Sequence, residues 1–153
     1  MDQPSTADAG RLSYAIFTLA RAHRGFAAAL LRDLDLHPGQ ELLLMRLLDR
    51  DGQTQSELLG RVGLDHSTVS KSLRRMQEAG LLTREPSERD RRVLHVWLTD
   101  KGRAMREPLT DLWATLERAC TAGLTAAEID AFTRLAGAVE HAIARRASAE
   151  ETS

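Results

Sequence analysis

Between Thr54 and Gly102 the chain sets stop and start signals so close together that only short elements fit between them. Thr54 and Glu57 have capping-box spacing, which satisfies two orphan amide groups where a helix begins. Gly63 ends that helix after about Val62, and Asp65 can cap a second helix running to Ala79. Gly80 can close this second helix in the left-handed conformation that glycine tolerates. Leu81 to Glu85 and Val93 to Leu98 then read as short strands. In the second, Leu94, Val96 and Leu98 alternate with Val93, His95 and Trp97, so one face is core. Pro86 to Arg92 forms the hairpin tip. Two short helices about a glycine turn, followed by a hairpin, give the order of a helix-turn-helix with a β wing.

The flanks read as helix. Leu12, Ile16, Leu19, His23, Phe26 and Leu30 recur at steps of four and three, a heptad stripe that needs another helix against it. Pro38 fits a first helical position ahead of a helix from Gln40 to Arg50, with Leu42, Leu43, Met45 and Leu47 as candidates for burial. Asp51-Gly52 ends it in a turn. After the wing, Thr99 caps a long helix from Asp100 to about Thr121, which Pro108 should kink. Thr125 and Glu128 form a second capping box opening a helix to about Ala147. Apolar stripes run through Leu109, Leu112 and Leu116, and through Ile129, Phe132, Val139 and Ile143. The expected fold class is therefore mainly α with a small β-hairpin wing: a winged helix-turn-helix core at about 40–99, flanked by N- and C-terminal dimerisation helices at about 11–35 and 100–147. Residues 11–147 read as one domain, 1–10 as a flexible leader and 148–153 as a frayed polar tail.

At 153 residues the chain can bury a real core. No apolar run approaches the roughly 18 residues of a membrane span, no signal-peptide pattern is present, and the single cysteine, Cys120, excludes an internal disulfide framework. These features point to the cytoplasm, with no membrane partner. The net charge of −1 is uneven: eight Lys or Arg against five Asp or Glu between Arg61 and Arg92, and thirteen against seventeen elsewhere. A basic segment on an acidic body is a local electrostatic footprint for nucleic acid.

The segment from Asp65 to Ser72 concentrates groups that can read or grip DNA. A helix lying in the major groove reads base edges near its N-terminus. His66, Ser67, Thr68 and Ser70 can reach base edges or phosphates, and Lys71, Arg74 and Arg75 can neutralise phosphates, while Val69, Leu73 and Met76 face inward. An ordinary solvated amphipathic helix would show the same stripe. The wing weighs against that alternative, because Arg89, Arg91 and Arg92 crowd a hairpin tip with no core to serve. Such an arginine can enter the negative minor groove, and Asp90 can orient Arg92 by a bidentate pair. No nucleophile motif, paired-carboxylate site or phosphate-binding Gly loop suggests an enzyme. The rival reading is a winged-helix protein-interaction module without specific DNA binding.

The run Asp90-Arg91-Arg92-Val93-Leu94-His95-Val96-Trp97-Leu98-Thr99-Asp100-Lys101-Gly102 resembles the wing signature of the MarR family of bacterial winged-helix regulators, and the likeness extends over nearly the whole chain. The resemblance implies that Arg92 is the minor-groove arginine with Asp90 its orienter, that the helix from Asp65 is the recognition helix, and that Gln55 and Ser56 begin the supporting helix near the phosphates. It also implies a homodimer built on the terminal helices, through Leu12, Ile16, Leu19, His23, Leu116, Phe132, Val139 and Ile143. A homodimeric repressor on a pseudo-palindromic double-stranded operator, releasable by a small-molecule effector, is the resulting expectation. His37, Met45, Arg46 and Met105 are candidates to line an effector pocket. Cys120 reads as a packed small hydrophobe, and the five scattered histidines give no metal site, so no metal or cofactor is expected.

Overall fold

The computed structural model describes residues 4–151. They divide into two compact units, one ending at Leu116 and one beginning at Glu117; no shift in composition marks that division. In the first unit, helices α1 (Arg11–Asp33) and α2 (Gln40–Asp49) precede a two-residue strand β1 (Gln53–Thr54). Then come α3 (Gln55–Val62), α4 (His66–Glu78), strands β2 (Leu82–Pro86) and β3 (Leu94–Leu98), a single turn α5 (Asp100–Arg103) and α6 (Arg106–Thr121), whose last turn enters the second unit. Helix α7 (Ala126–Glu151) makes up most of the rest. No helix among the described residues is long and apolar enough to cross a membrane.

The sheet is antiparallel, in the order β1-β3-β2, with β3 in the centre. Leu82 faces Leu98 and Pro86 faces Leu94, while Gln53 and Thr54 pair with Val96 and His95. A strand of two residues leaves no periodicity in sequence; β1 exists because β3 offers it a free edge. Val96 and Leu98 are buried and Trp97 is exposed, as the alternation requires.

The core of the first unit is built mostly of leucine. Leu31, Leu43, Leu44, Leu47, Leu58, Leu73, Leu82, Leu109, Leu112 and Leu116 pack with Val69, Met76 and Val96. In α2 the buried face is Leu43, Leu44 and Leu47, so Leu44 replaces Leu42 and Met45, which are only half-buried. Pro38 does not open α2. Gly39, at φ +97°, occupies the cap, because Gln40 and Glu41 fold back: Gln40 Oε1 accepts from the His37 N–H and Glu41 Oε2 from the Gly39 N–H.

Three further expectations change at helix ends. The helix after Thr99 is not one kinked rod but two: α5 stops at Arg103, the Met105 N–H donates to Gly102 O, and α6 begins at Arg106. Pro108 thus falls in the first turn of α6, where an amide has no intrahelical acceptor to lose. Within the expected leader, residues 5–10 form a 3-10 helix, starting after Pro4, whose ring presets φ at −58°; Met1–Gln3 lie outside the described residues. In the second unit α7 continues through the stretch expected to fray, to Glu151, supported by an Arg146–Glu150 pair at 3.0 Å.

Candidate nucleic-acid interface

Helix α3 begins in the capping box read from sequence. The Glu57 N–H donates to Thr54 Oγ1 at 3.1 Å and the Thr54 N–H to Glu57 Oε2 at 2.8 Å. These bonds, led by the Thr54 amide and followed by the Arg50 guanidinium at 2.9 Å, lower the Glu57 carboxyl from 4.5 to about 2. Helix α4 begins at Asp65, whose carboxylate accepts from the Thr68 N–H at 2.9 Å and from the Ser67 and Thr68 hydroxyls, each at 2.6 Å. The Ser67 hydroxyl, then the Thr68 hydroxyl and amide, hold that carboxyl far below its usual range. Val69, Leu73 and Met76 are fully buried, which fixes the roll of α4 and turns its polar face outward.

The other end of α4 is held by the wing and the corner after it. The Gly80 N–H donates to Gln77 O and the Leu81 N–H to Met76 O, closing the helix with Gly80 at φ +76°. Thr99 Oγ1 donates to Gly80 O at 2.6 Å, and Lys101 Nζ to Ala79 O at 2.7 Å. Both bonds satisfy carbonyls that a helix C-terminus leaves without partners.

At the hairpin tip the Ser87 N–H donates to Val93 O and the Val93 N–H to Asp90 O. Asp90 grips Arg92 three times: Oδ1 accepts from the Arg92 backbone N–H at 3.0 Å and from Nε at 3.2 Å, and Oδ2 accepts from Nη2 at 3.3 Å. The guanidinium, then the amide, depress the Asp90 carboxyl. The Arg92 side chain is otherwise 90% exposed, so its charge is aimed but left available. Arg89 and Arg91 are also exposed.

Two concavities bring these parts together. One, of about 190 Å³, is lined by Thr54, Gln55, Ser56, Leu59, His66, Val69, Arg92, Val93 and Leu94, so Arg92 and the start of α4 border the same hollow. Gln55 Nε2 donates to Ser70 Oγ at 3.4 Å, tying α3 to α4, while its buried Oε1 has no partner. The second, of about 420 Å³, is lined by His66, Ser67, Ser70, Lys71, Arg74 and Arg84. Thr68 and Arg75 do not border it, since at 100° per residue they fall on the flanks of that face. Arg84 was not among the residues singled out by sequence. Its Nε donates to Gln77 Oε1 at 2.7 Å, which holds it beside α4; only the β2–α4 packing reveals that placement.

The remaining candidates behave unevenly. Leu12, Phe132 and Ile143 are 63%, 55% and 61% exposed in the single chain, and Ile16 and Leu19 are also exposed. His23 and Val139 are half-buried. Leu116 is a correction: at 2% exposure it belongs to the chain's own core and has nothing to offer a partner. Phe17 and Leu135, exposed and apolar, lay off the stripes read from sequence. Of the four effector candidates, one borders a described hollow. Met45 lines a hollow of about 310 Å³ with Leu48, Asp49, Arg106, Leu109, Thr110 and Trp113, and accepts a hydrogen bond from Trp113 Nε1. His37, Arg46 and Met105 do not border it. Cys120 is exposed rather than packed, because the buried stripe of α6 ends at Leu116. Among the described residues no group of three or more His, Cys, Asp or Glu could hold a metal ion.

A family model described as MarR family matches residues 34–93. The HTH-type transcriptional regulator MgrA of Staphylococcus aureus is 30% identical over 133 residues, covering 86% of this chain and 89% of that protein. A MarR mutant from E. coli complexed with operator DNA superposes with a TM-score of 0.80 at 24% identity, over 90% of this chain and 99% of that one. The PcaV regulator from Streptomyces coelicolor, in complex with its natural ligand, superposes with a TM-score of 0.76 at 26% identity, over 94% and 99%.

Proposed function

Because the chain belongs to the MarR family of winged-helix transcriptional regulators, we propose that it acts as a homodimeric repressor that binds a pseudo-palindromic operator and occludes a promoter. The observation that carries this reading is the shared hollow at the base of the wing. There an exposed Arg92, oriented by Asp90, borders the same concave face as His66 and the start of α4. A helix start in the major groove with an arginine in the adjoining minor groove is a geometry that reads sequence and shape together. Ser67, Ser70, Lys71 and Arg74 supply polar and cationic groups on the same side, and Arg84 joins them as a phosphate contact. Arg75, Arg89 and Arg91 add positive charge at the margins. Gln55 and Ser56, at the start of α3, approach the backbone beside them. Two-fold symmetry places half-sites about 10 base pairs apart, centre to centre.

The test is a salt titration of binding to the duplex upstream of its own gene and to a scrambled duplex, with Arg92→Ala alongside. The reading expects a steep fall of affinity with salt, a preference for the native duplex and a loss of about 10- to 100-fold in the variant. Unchanged affinity in Arg92→Ala would remove the wing from the mechanism. No binding even at low salt would turn the reading to a protein-interaction module.

Displacement from DNA by a small molecule completes the proposal. Its support is the hollow of about 310 Å³ beside Met45 and Trp113, together with the ligand found in PcaV. An effector should raise the melting temperature and weaken operator binding together; a compound that does only the first is not one.

A further inference from the structure

Ser67 and Ser70 both lie on the outward face of α4, yet their hydroxyl protons are committed differently. Ser67 Oγ sits 2.6 Å from Asp65 Oδ1. A carboxylate has no proton to give, so at that distance the hydroxyl must be the donor. Asp65 is itself immobilised: Oδ1 also takes the Thr68 N–H and Oδ2 takes the Thr68 hydroxyl. Its carboxyl is held ionised by those same bonds, the Ser67 hydroxyl first. Ser70, by contrast, receives a hydrogen bond from Gln55 Nε2 and keeps its own proton to donate.

Toward anything outside the protein, Ser67 therefore presents lone pairs only. It cannot donate to a phosphate oxygen, nor to N7 or O6 of guanine or O4 of thymine. In the major groove the partners left to it are the exocyclic amino groups, N6 of adenine and N4 of cytosine. Asp65 reinforces the restriction. A bare helix N-terminus attracts phosphate, but here a carboxylate already occupies the first-turn amide and repels a second anion.

We propose that Ser67 is a specificity-determining residue that accepts a hydrogen bond from the amino group of an adenine or cytosine, with Asp65 as the positioning residue that accepts the hydrogen bond of the Ser67 hydroxyl and so excludes guanine and thymine at that position of the contacted strand. In the major groove every base pair presents one amino group, on its adenine or its cytosine, so the contact reads which strand holds it. This inference rests on the DNA-binding reading above.

The experiment selects binding sites from a randomised duplex library with the full chain, as wild type, Ser67→Ala, Asp65→Asn and Asp65→Gly. The operator position whose preference disappears in Ser67→Ala is the contacted one. Wild type should require adenine or cytosine there, and deleting that amino group with a base analogue should weaken wild-type binding about tenfold while leaving Ser67→Ala unchanged. Asp65→Asn keeps an acceptor for the proton and should keep the preference. Asp65→Gly, a substitution that helix caps tolerate, releases the proton and should admit guanine or thymine. The proposal is overturned if wild type selects guanine or thymine at that position, if no position depends on Ser67, or if removing the amino group changes nothing. Failure of the wild type to enrich any sequence would overturn the DNA-binding reading and this inference with it.

Discussion

Arg92 shows how a mobile surface side chain can be made into a probe. An unpaired arginine at a hairpin tip would lose about 0.5–1.5 kcal/mol of rotamer freedom on entering a groove. The bonds from its own amide, Nε and Nη2 to Asp90 impose much of that order beforehand. Asp90→Ala should therefore weaken operator binding by about 2- to 10-fold, less than Arg92→Ala, with the dimer intact; fluorescence anisotropy on a labelled operator would check it. If the two variants lose equally, Asp90 has a separate role. Carboxylates here also set the response to acid. Glu57 is lowered from 4.5 in its ordinary state to about 2 in the fold, so its stabilisation is present above about 4.5 and is lost as pH falls through about 2. Asp65, Asp90 and Glu128 are shifted in the same direction. Thermal melts should show little change from pH 7 to pH 5 and a fall below 4.5, with a shallower acid limb in Glu57→Gln. A melting temperature that already drops between pH 7 and 5 would assign the limb to other groups. At this scale the sequence is a partial guide. Asp90 and Arg92 are two residues apart, so their pairing is visible in the chain. The capture of Ser67 by Asp65, and of Arg84 by Gln77, depends on rotamers and on packing between β2 and α4.

Among the elements, the corner after β3 carries more than its length suggests. The Thr99 N–H donates to Leu81 O at 3.1 Å, and Gly102 lies so close to that same carbonyl that a Cβ would collide with it. Gly102→Ala must push α5 away from Leu81 or distort the corner, at a cost of about 1–3 kcal/mol. A lower urea midpoint with an unchanged slope would show it; an unchanged midpoint would mean the corner yields freely. Pro108→Ala should do far less than replacement of a mid-helix proline. In the first turn of α6 its missing amide costs nothing, so stability should change by less than about 1 kcal/mol rather than by the 3 kcal/mol of a helix interior. A larger change would mean that the break at 104–105 is enforced by the ring. Elements with local signals were legible: both capping boxes, Asp65, Gly63 and Gly80 lie where helices begin and end. What could not be read was decided at long range. β1 needs the edge of β3, the close approach of Gly102 to Leu81 joins residues 21 apart in sequence, and Leu44 is buried because of what α2 packs against rather than its place in a stripe.

In the whole molecule, the first unit has a closed core while both terminal helices leave apolar side chains in water. Leu12, Phe17 and Leu19 on α1, and Phe132, Leu135 and Ile143 on α7, are all at least half exposed. Surfaces of that kind mark an interface, which fits the proposed homodimer. Sedimentation should give a dimer for wild type and a shift toward monomer for Ile16→Asp or Ile143→Asp. Because two half-sites then bind separately, operator affinity should fall by about 100-fold or more; dimers that persist in both variants would place the interface elsewhere. The heptad stripe of α1 made this exposure foreseeable, whereas Leu116 shows that an apolar stripe cannot say whether it faces its own core or a neighbour. One last consequence follows from the way α4 is seated. Its carboxyl end is anchored by Thr99 and Lys101 from outside the helix, while its start is organised locally by Asp65. Replacing an outward residue such as Ser67 thus leaves the seat of the helix in place, a freedom that the buried Val69 and the Ser70 held by Gln55 do not share. After a gene duplication, two descendants of this chain could diverge in the promoters they govern by single substitutions, each step passing through a folded and competent intermediate.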